Sequence, residues 1–511
     1  MYSRFALSRL TRGAAFAAFL SHAIPVAGQA PSTASGEHEH HAAPIGDDVA
    51  PETPMAREGS GTAWQPDATP MYATHSQRGA WQLMAHENVF VQFLHESGNR
   101  GDDQFGSINW IMGMAQRDLW NGRVTLRGMF SAEPWTVGGC GYPDLLASGE
   151  QCKGEAIHDR QHPHDLFMEI SAEYDAPLKR SLRWQVYGGP AGEPALGPVA
   201  YPHRISAMPN PLAPIAHHWF DSTHITFGVV TAGVYRNRWK AEASLFNGRE
   251  PGETRTDFDL GALDSISGRL WILPSSSIAL QVSAGRLKEA EAGEGVAARR
   301  DVDKITVSAT YHRVNDRTVW ASTAGWGRNE ESGRGTYAVL GETSFTLADR
   351  DAWFARLEVV GKTAHDLDVS TAPDSTALML TKIQGGYTRY LSRTHGFRAG
   401  IGAEASLGFV PDQLKSVYGA RANVGAGVFV TVRPAAMIMT SHSGSQAAGR
   451  TMVMVQTAFD PAKLSCSPAI DPKTAPSAIY EGKTYYFCSE SDRADFLTDP
   501  KMSLSMMPPK Q

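Results

Sequence analysis

Histidines and carboxylates crowd two short stretches of this chain. One reads His158-Asp159-Arg160-Gln161-His162-Pro163-His164-Asp165, and the other carries His203, His217-His218 and His224, the last just after Asp221-Ser222-Thr223. Imidazole and carboxylate are the ligands of borderline divalent ions such as Zn(II) and Cu(II), so two loops closing over one mouth would bring a metal site together. The candidate ligands are His158, His162, His164, Asp165, His203, His217, His218 and His224. The plainer reading is that polar loops use His beside Pro or Asp to complete turn hydrogen bonds. A softer hint comes from Met437, Met439, Met452 and Met454 around His442, a mixture that tolerates Cu(I), although methionine also serves as apolar filler. Cys140 and Cys152, twelve residues apart in the long loop Pro134 to Pro163 that carries the first stretch, read as a disulfide that tightens it. No Gly-x-Ser-x-Gly, phosphate-cradling glycine loop or Ser/His/Asp set is recognisable, so no catalytic activity is expected.

The elements that must hold these residues follow from a two-residue period. Phe397, Ala399, Ile401, Ala403, Ala405, Leu407 and Phe409 alternate with Arg398, Gly400, Gly402, Glu404, Ser406 and Gly408. Successive strand side chains point to opposite faces, so one face is apolar and the other polar and small. Segments starting at Trp239, Lys304 and Trp353 repeat the pattern. A soluble sandwich would alternate too, but the start of the chain argues for export. Arg4, Arg9 and Arg12 precede the apolar stretch Gly13 to Leu20, and Gly28-Gln29-Ala30 suits signal-peptidase cleavage after Ala30. An uncleaved anchor is the alternative, and Pro25, Gly28, His22 and Gln29 make it a poor membrane helix. No cysteine precedes Cys140, so no mature amino-terminal cysteine could carry lipid. Beyond the signal there is no run of about 18 uncharged apolar residues, so any integral form must be a closed barrel that pairs its own amides.

The expected fold is all-β: an antiparallel transmembrane β-barrel of about 16 strands (range roughly 14–18) with a small carboxyl-terminal α+β module. Strands are predicted to begin near Trp81, Ser107, Val124, His164, Leu182, His224, Trp239, Asp264, Ser277, Lys304, Thr318, Thr336, Ala352, Thr376, Phe397 and Ser416. The 42% hydrophobic content is ordinary and the 49 glycines are many, as expected when a lipid face is diluted by a polar lumen face. The formal charge of −6 argues against nucleic-acid binding. Residues 1–30 read as a signal peptide, 31–78 as a flexible leader containing Glu37-His38-Glu39-His40-His41, 79–459 as the barrel, 460–504 as the carboxyl-terminal module and 505–511 as a tail. Val428 to Arg433 reads as a last strand stopped by Pro434, yet Thr451 to Phe459 alternates again. Tight connections such as Asn121-Gly122-Arg123 and Asn315-Asp316-Arg317 alternate with long ones from Pro134 to Pro163 and Ala191 to Asp221. The short ones are expected in the periplasm, which puts both termini there. Lys240, Glu242, Arg286, Lys304, His312, Arg356, Glu358, Arg398 and Glu404 are expected to face the lumen, which could be a pore or be closed by loops.

The carboxyl-terminal segment runs Cys466-Ser467-Pro468, then Tyr480-Glu481-Gly482-Lys483-Thr484-Tyr485-Tyr486-Phe487-Cys488, then Asp492, Phe496 and Asp499-Pro500. Two aromatic strands turning at Gly482 are a hairpin signature. Over roughly 40 residues this segment resembles the YHS domain, a module of heavy-metal and copper-handling proteins. The resemblance implies metal binding through thiolates at Cys466 and Cys488, with Asp492 as a third ligand standing where many members have a further cysteine. Cys466-Ser467-Pro468 departs from the Cys-Gly-Met of many members. Two thiolates suit Cu(I), and Zn is the second choice. The alternative is a structural disulfide between Cys466 and Cys488. The stretches Asp159 to Asp165 and His217 to His224 also resemble those of outer-membrane proteins found with copper-handling genes, which raises copper slightly above zinc. The expected function is heavy-metal transport, binding or tolerance at the bacterial outer membrane, with membrane lipid, metal ions, periplasmic metal-handling proteins and a second copy of the chain as partners. The alternatives are a sealed barrel that anchors metal-sequestering loops and a general porin with a structural carboxyl-terminal module.

Overall fold

A computed structural model describes residues 53–436, apart from 180, 292–298, 316, 332, 371–372 and 374–375, and near the carboxyl terminus residues 476–480, 483–486, 493 and 496–497. The first part of the chain contains β1 (Thr74–Arg78), β2 (Trp81–Glu96), β3 (Asp103–Leu119), β4 (Gly122–Phe130), β5 (Tyr142–Cys152), β6 (Glu155–Gln161), β7 (Phe167–Lys179) and β8 (Leu182–Ala191). Then come β9 (Val229–Arg236), β10 (Trp239–Phe246), β11 (Ser265–Ser275), β12 (Ile278–Glu291), β13 (Arg300–Val314) and β14 (Thr318–Glu331). The last wall strands are β15 (Arg334–Leu347), β16 (Asp351–Thr363), β17 (Ala377–Tyr390), β18 (Phe397–Phe409) and β19 (Ala422–Pro434).

Each wall strand pairs antiparallel with the next, β4 pairs with β7, and β19 returns to β2, which closes a barrel of 16 strands. Closure leaves no edge, so every ladder amide has a partner. β1 is not an extra stave. It pairs with the first residues of β2, from Arg78↔Trp81 to Thr74↔Ala85, on the edge that β19 covers further along. The alternation seen in the sequence sets the two faces. In β18 Ile401, Leu407 and Phe409 point out while Gly402, Glu404 and Ser406 point in. Val186, Leu245, Leu270, Val307, Val339, Ile383 and Val430 extend the outward apolar surface around the wall. Water-soluble monomers seldom expose more than a few hundred Å² of contiguous apolar surface, so this band is the lipid face. The thirteen residues of β18 rise about 44 Å along the strand, and a tilt near 40° leaves enough height for a hydrocarbon layer of about 30 Å. No helix among the described residues is long and apolar enough to cross a membrane.

The connections alternate as expected. Short connections at 120–121, 181, 237–238, 276–277 and between β13 and β14 share one end with the start of β2 and the close of β19, whereas 131–166 and 192–228 leave from the other. These long connections do not stand outside as rim loops. They fold into the lumen, where Leu145, Leu146, Ile215, Trp219 and Phe220 pack against the inner face of β15, β16 and β17. Their apolar side chains explain it: water would not tolerate them and the inner wall offers Leu340, Val360 and Leu380.

Residues 53–73 likewise depart from the flexible leader read from their composition. Ala63 and Trp64 pack with Val199, Tyr235 and Trp271 in the lumen. Arg57 pairs with Asp67 at 2.6 Å and donates to the Asn237 carbonyl, and Ser60 accepts from the Ala200 amide. A composition rich in Pro, Ser and Gly cannot reveal that an enclosing wall supplies partners. The barrel ends at Pro434, and Thr451 to Phe459 lies outside the described residues, as do the signal peptide and the methionines around His442.

The carboxyl-terminal unit is separate, comprising residues 443–511. Ser477–Tyr480 and Lys483–Tyr486 form the expected hairpin, with Tyr480↔Lys483 flanking Glu481-Gly482. Ala478, Tyr485 and Phe496 form its buried cluster. Cys466, Cys488 and Asp492 lie outside the described residues.

Candidate functional site: an imidazole cluster inside the barrel

The two inward-folded connections bring four of the predicted ligands into one buried group. His162 follows the hairpin of β5 and β6, in which the disulfide Cys140–Cys152 joins the residues at the two ends of the β5 segment with a Cα–Cα distance of 5.7 Å, as the spacing suggested. His217 and His218 lie on the short helix His217–Phe220, and His224 ends the turn Ser222–His224. Ring centroids stand 6.0 Å apart for His162 and His217, 6.4 Å for His162 and His218, 5.5 Å for His217 and His218, and 5.1 Å for His217 and His224. A metal–nitrogen length of about 2.0 Å puts an ion about 3.2 Å from a ring centre, so imidazoles on a tetrahedral ion have centroids about 5 Å apart. The spacings approach this value. Among the described residues, however, no three His, Cys, Asp or Glu side chains converge on a single point as they stand, so ring rotation must complete any centre.

The hydrogen bonds orient these rings in a consistent way. The His217 Nδ1 sits 2.8 Å from Asp221 Oδ1, the His224 Nδ1 2.7 Å from the Asp221 carbonyl, the His218 Nδ1 3.3 Å from Glu250 Oε1, and the His162 Nδ1 3.3 Å from both the Pro163 carbonyl and Glu150 Oε2. An Nδ1–H held by oxygen leaves the Nε2 lone pair free, the arrangement that outer carboxylates and carbonyls impose on metal-bound histidine. His162, His218 and His224 each have an Nε2 that is buried and without a partner. Buried polar atoms are normally satisfied, so three orphaned acceptors in one cluster require a reason.

Burial holds His162, His217 and His224 neutral. It pushes His162 well below the ordinary imidazole range, helped by the Arg255 cation, and pushes His224 well below and His217 down as well. Neutral imidazole is the ligating form. His164 behaves differently: burial pulls it down, but the Glu133 carboxylate at 2.8 Å outweighs this and raises it. Its Nε2 is taken by the Tyr201 hydroxyl at 2.8 Å. His164 therefore braces the cluster.

Asp165 meets Arg255 at 3.4 Å and is pushed up to about 7 by burial against that cation's opposing pull. His158 is kept apart, between Asp159 at 3.2 Å and Asp368 at 3.6 Å, and His203 lies in a different pocket with Met129. Neither joins the group, because the β-hairpin aims His158 away and the turn Tyr201–His203 aims His203 at the wall.

Of the expected lumen residues, Lys240, Glu242, Lys304, His312, Arg356, Glu358 and Glu404 are buried inside. Arg286 instead stands exposed beside Asp301 and Asp303, and Arg398 pairs with Asp349 at 2.6 Å. The interior charges tie the loops to the wall: Arg204 spans Asp221 at 2.8 Å and Glu342 at 2.7 Å, and Arg356 shares Glu342 at 3.2 Å. The best-defined cavity among the described residues, lined by Thr223, Thr226, Glu250 and Lys304, holds about 10 Å³. That admits about one water.

Asp221, Glu150, Glu250 and Gly149 are further parts of the site, not expected from the sequence. The spacing of His217 and Asp221, one helical turn apart, was the available signal for the first. Gly149 has φ +120°, and a Cβ there would overlap the His218 ring. Gly149→Ala is expected to displace His218, and if these imidazoles hold zinc it should weaken that binding by on the order of tenfold or more. Gly154→Ala, also at positive φ but with open space around it, should not. Calorimetric zinc titration of both variants checks this.

No family model and no curated protein matches this chain. Solved structures do. OmpF of Salmonella typhi in complex with daunomycin is 10% identical, covering 70% of this chain and 100% of that one, with a TM-score of 0.42. The loop L8 deletion mutant of OmpT, an outer membrane protein of Vibrio cholerae, is 9% identical over 70% and 99%, with a TM-score of 0.40. The outer membrane channel DcaP of Acinetobacter baumannii is 8% identical over 71% and 100%, with a TM-score of 0.39. The likeness is one of fold alone.

Proposed function

We propose that this protein is an occluded outer-membrane barrel that captures transition-metal ions, copper or zinc, on imidazoles inside its lumen. The observation that carries the reading is the set of orphaned Nε2 atoms on His162, His218 and His224 beside His217, each ring steered by an oxygen at Nδ1. The filled lumen supports capture over the free diffusion of a general porin. The end with short turns is taken as the periplasmic face, and a periplasmic carboxyl-terminal module is part of the proposal. Cys466, Cys488 and Asp492 then offer a second, thiolate site, as the resemblance to the YHS domain implies. The hairpin around Gly482 and the packing of Phe496 on Tyr485 support that part.

Elemental analysis tests the reading. Purified full-length protein with Cys466→Ser and Cys488→Ser, exposed to Zn(II) or Cu(II) and desalted, is expected to keep about one ion per chain. The further changes His162→Ala, His217→Ala and His218→Ala should remove it. Equal metal content with and without these histidines overturns the reading.

A further inference from the structure

Outside the imidazole cluster, thioethers and imidazoles share one patch of the inner wall. Met84 and His86 on β2, Met112 and Met114 on β3, and Met129 on β4 face the lumen. The ladder sets His86 opposite Met112, and Met112 opposite Met129, while Met84 faces Met114. Directly paired residues have Cβ atoms about 5 Å apart, so these side chains form one row. His203 descends onto it from the loop. Its Nε2 lies 3.3 Å from Met129 Sδ, the His86 Nε2 lies 3.1 Å from Met112 Sδ, and the two rings are 5.4 Å apart. The Trp110 ring stands 4.9 Å from His86 and 5.1 Å from His203.

Apolar packing alone does not explain this pairing. A thioether is a weak acceptor, and buried imidazole nitrogens ordinarily meet oxygen. Here two separate imidazoles each turn Nε2 to sulfur. Thioether with imidazole is instead the soft donor set that selects monovalent copper and its congener silver. Lengths of about 2.3 Å to sulfur and 2.0 Å to nitrogen, taken from zinc as a guide, separate two tetrahedral ligands by roughly 3.5 Å. The N···S pairs at 3.1 and 3.3 Å need only a small outward rotation to admit an ion. The Trp110 ring packs against both imidazoles, near enough to report on an ion held between them. Burial holds His203 neutral, pushed down to about 3. A further imidazole continues the row toward the end with short turns. His75, opposite Met84 in the ladder of β1 and β2, has both ring nitrogens buried without a partner.

We propose that His86, His203, Met112 and Met129 form a binding site for a soft monovalent metal ion, Cu(I) or Ag(I), on the inner wall of the barrel. The site uses other residues than the imidazole cluster and a different class of metal, so each stands or falls alone. Silver is the probe of choice because it needs no reductant and leaves the Cys140–Cys152 disulfide intact. Full-length protein with Cys466→Ser and Cys488→Ser, purified in detergent, is titrated with Ag(I) against a competing chelator while tryptophan emission and bound silver are followed.

One tight equivalent is expected, with quenching that Trp110→Phe diminishes. Met112→Leu with Met129→Leu should weaken it by more than the roughly 10–100-fold that losing an outer-shell partner costs, with zinc binding unchanged. Methionine to leucine conserves volume in a packed interior, so the barrel persists, as heat-dependent gel mobility will report. His162→Ala with His218→Ala should leave the silver equivalent in place. Failure to retain silver, equal affinity after the methionine changes, or loss confined to the His162 and His218 variant would each overturn the proposal.

Discussion

Excising Glu193 to Ile225 and joining Gly192 to Thr226 through an Asn-Gly turn is expected to convert a non-conducting barrel into one that shows discrete open steps in planar bilayers. The excision point is chosen from the structure. Gly192 and Thr226 already bridge, each amide donating to the other's carbonyl at 3.0 and 2.8 Å, so the neck of the loop can be closed by a two-residue hairpin turn. Removing the loop takes away Tyr201, Arg204, Trp219 and Phe220, which fill the space against β13 to β17. A wall of sixteen strands is wide enough for an aqueous path once emptied. The wild type should be silent. Open steps from the wild type would mean that the lumen is not filled in the membrane, and a silent excision variant would mean that residues 53–73 and the first long connection seal it unaided.

Lys382→Met is expected to destabilise the protein by about 3–5 kcal/mol and to release the hairpin of β5 and β6. Lys382 is buried in the wall, with its Nζ 3.2 Å from Glu96 Oε1, 2.5 Å from Asp144 Oδ1 and 3.3 Å from the Leu145 carbonyl. Removing the cation leaves two carboxylates facing each other away from water, which costs far more than the ion pair itself contributes. Glu96 also accepts from the Leu145 amide at 3.3 Å, so its repulsion from Asp144 pushes the hairpin off the wall. The measurement is the unfolding temperature by heat-dependent gel mobility, with limited proteolysis at the hairpin. Adding Glu96→Gln and Asp144→Asn should restore most of the loss, since neutral amides can share hydrogen bonds. An unchanged midpoint for Lys382→Met would refute the buried network.

The wall was legible in the sequence because lipid and lumen impose opposite chemistry on alternate residues. The starts expected at Trp81, Leu182, Trp239, Thr318 and Phe397 coincide with those of β2, β8, β10, β14 and β18. The starts expected near His224 and Ser416 were early by a few residues, because a turn at Ser222–His224 and a short helix at Lys415–Tyr418 precede β9 and β19. The length of the connections that carry the histidines, set against the short turns at the other end, suggested external loops. Leu145-Leu146 and Trp219-Phe220 argued otherwise, since an aqueous rim would not expose such pairs, but periodicity has no way to register where an irregular segment goes. Gathering His162, His217, His218 and His224 was anticipated only as a meeting of two loops. Asp221, which orients His217 and His224, is their near neighbour in sequence, whereas Glu150 and Glu250 are remote enough from His162 and His218 that only the folded barrel brings them together. The row of Met84, His86, Met112 and Met129 was written in the i, i+2 spacing of Met84-Ala85-His86 and Met112-Gly113-Met114, which marks an inward face of unusual softness.

X-ray absorption at the zinc edge, recorded on Zn(II)-loaded full-length protein carrying Cys466→Ser and Cys488→Ser, bears most directly on metal capture by imidazoles in the lumen. Three or four nitrogen neighbours at about 2.0–2.1 Å, with the outer scattering of imidazole rings, are predicted, and His162→Ala with His217→Ala and His218→Ala should abolish that pattern. A first shell of oxygens alone, or an unaltered spectrum in the histidine variant, would contradict it.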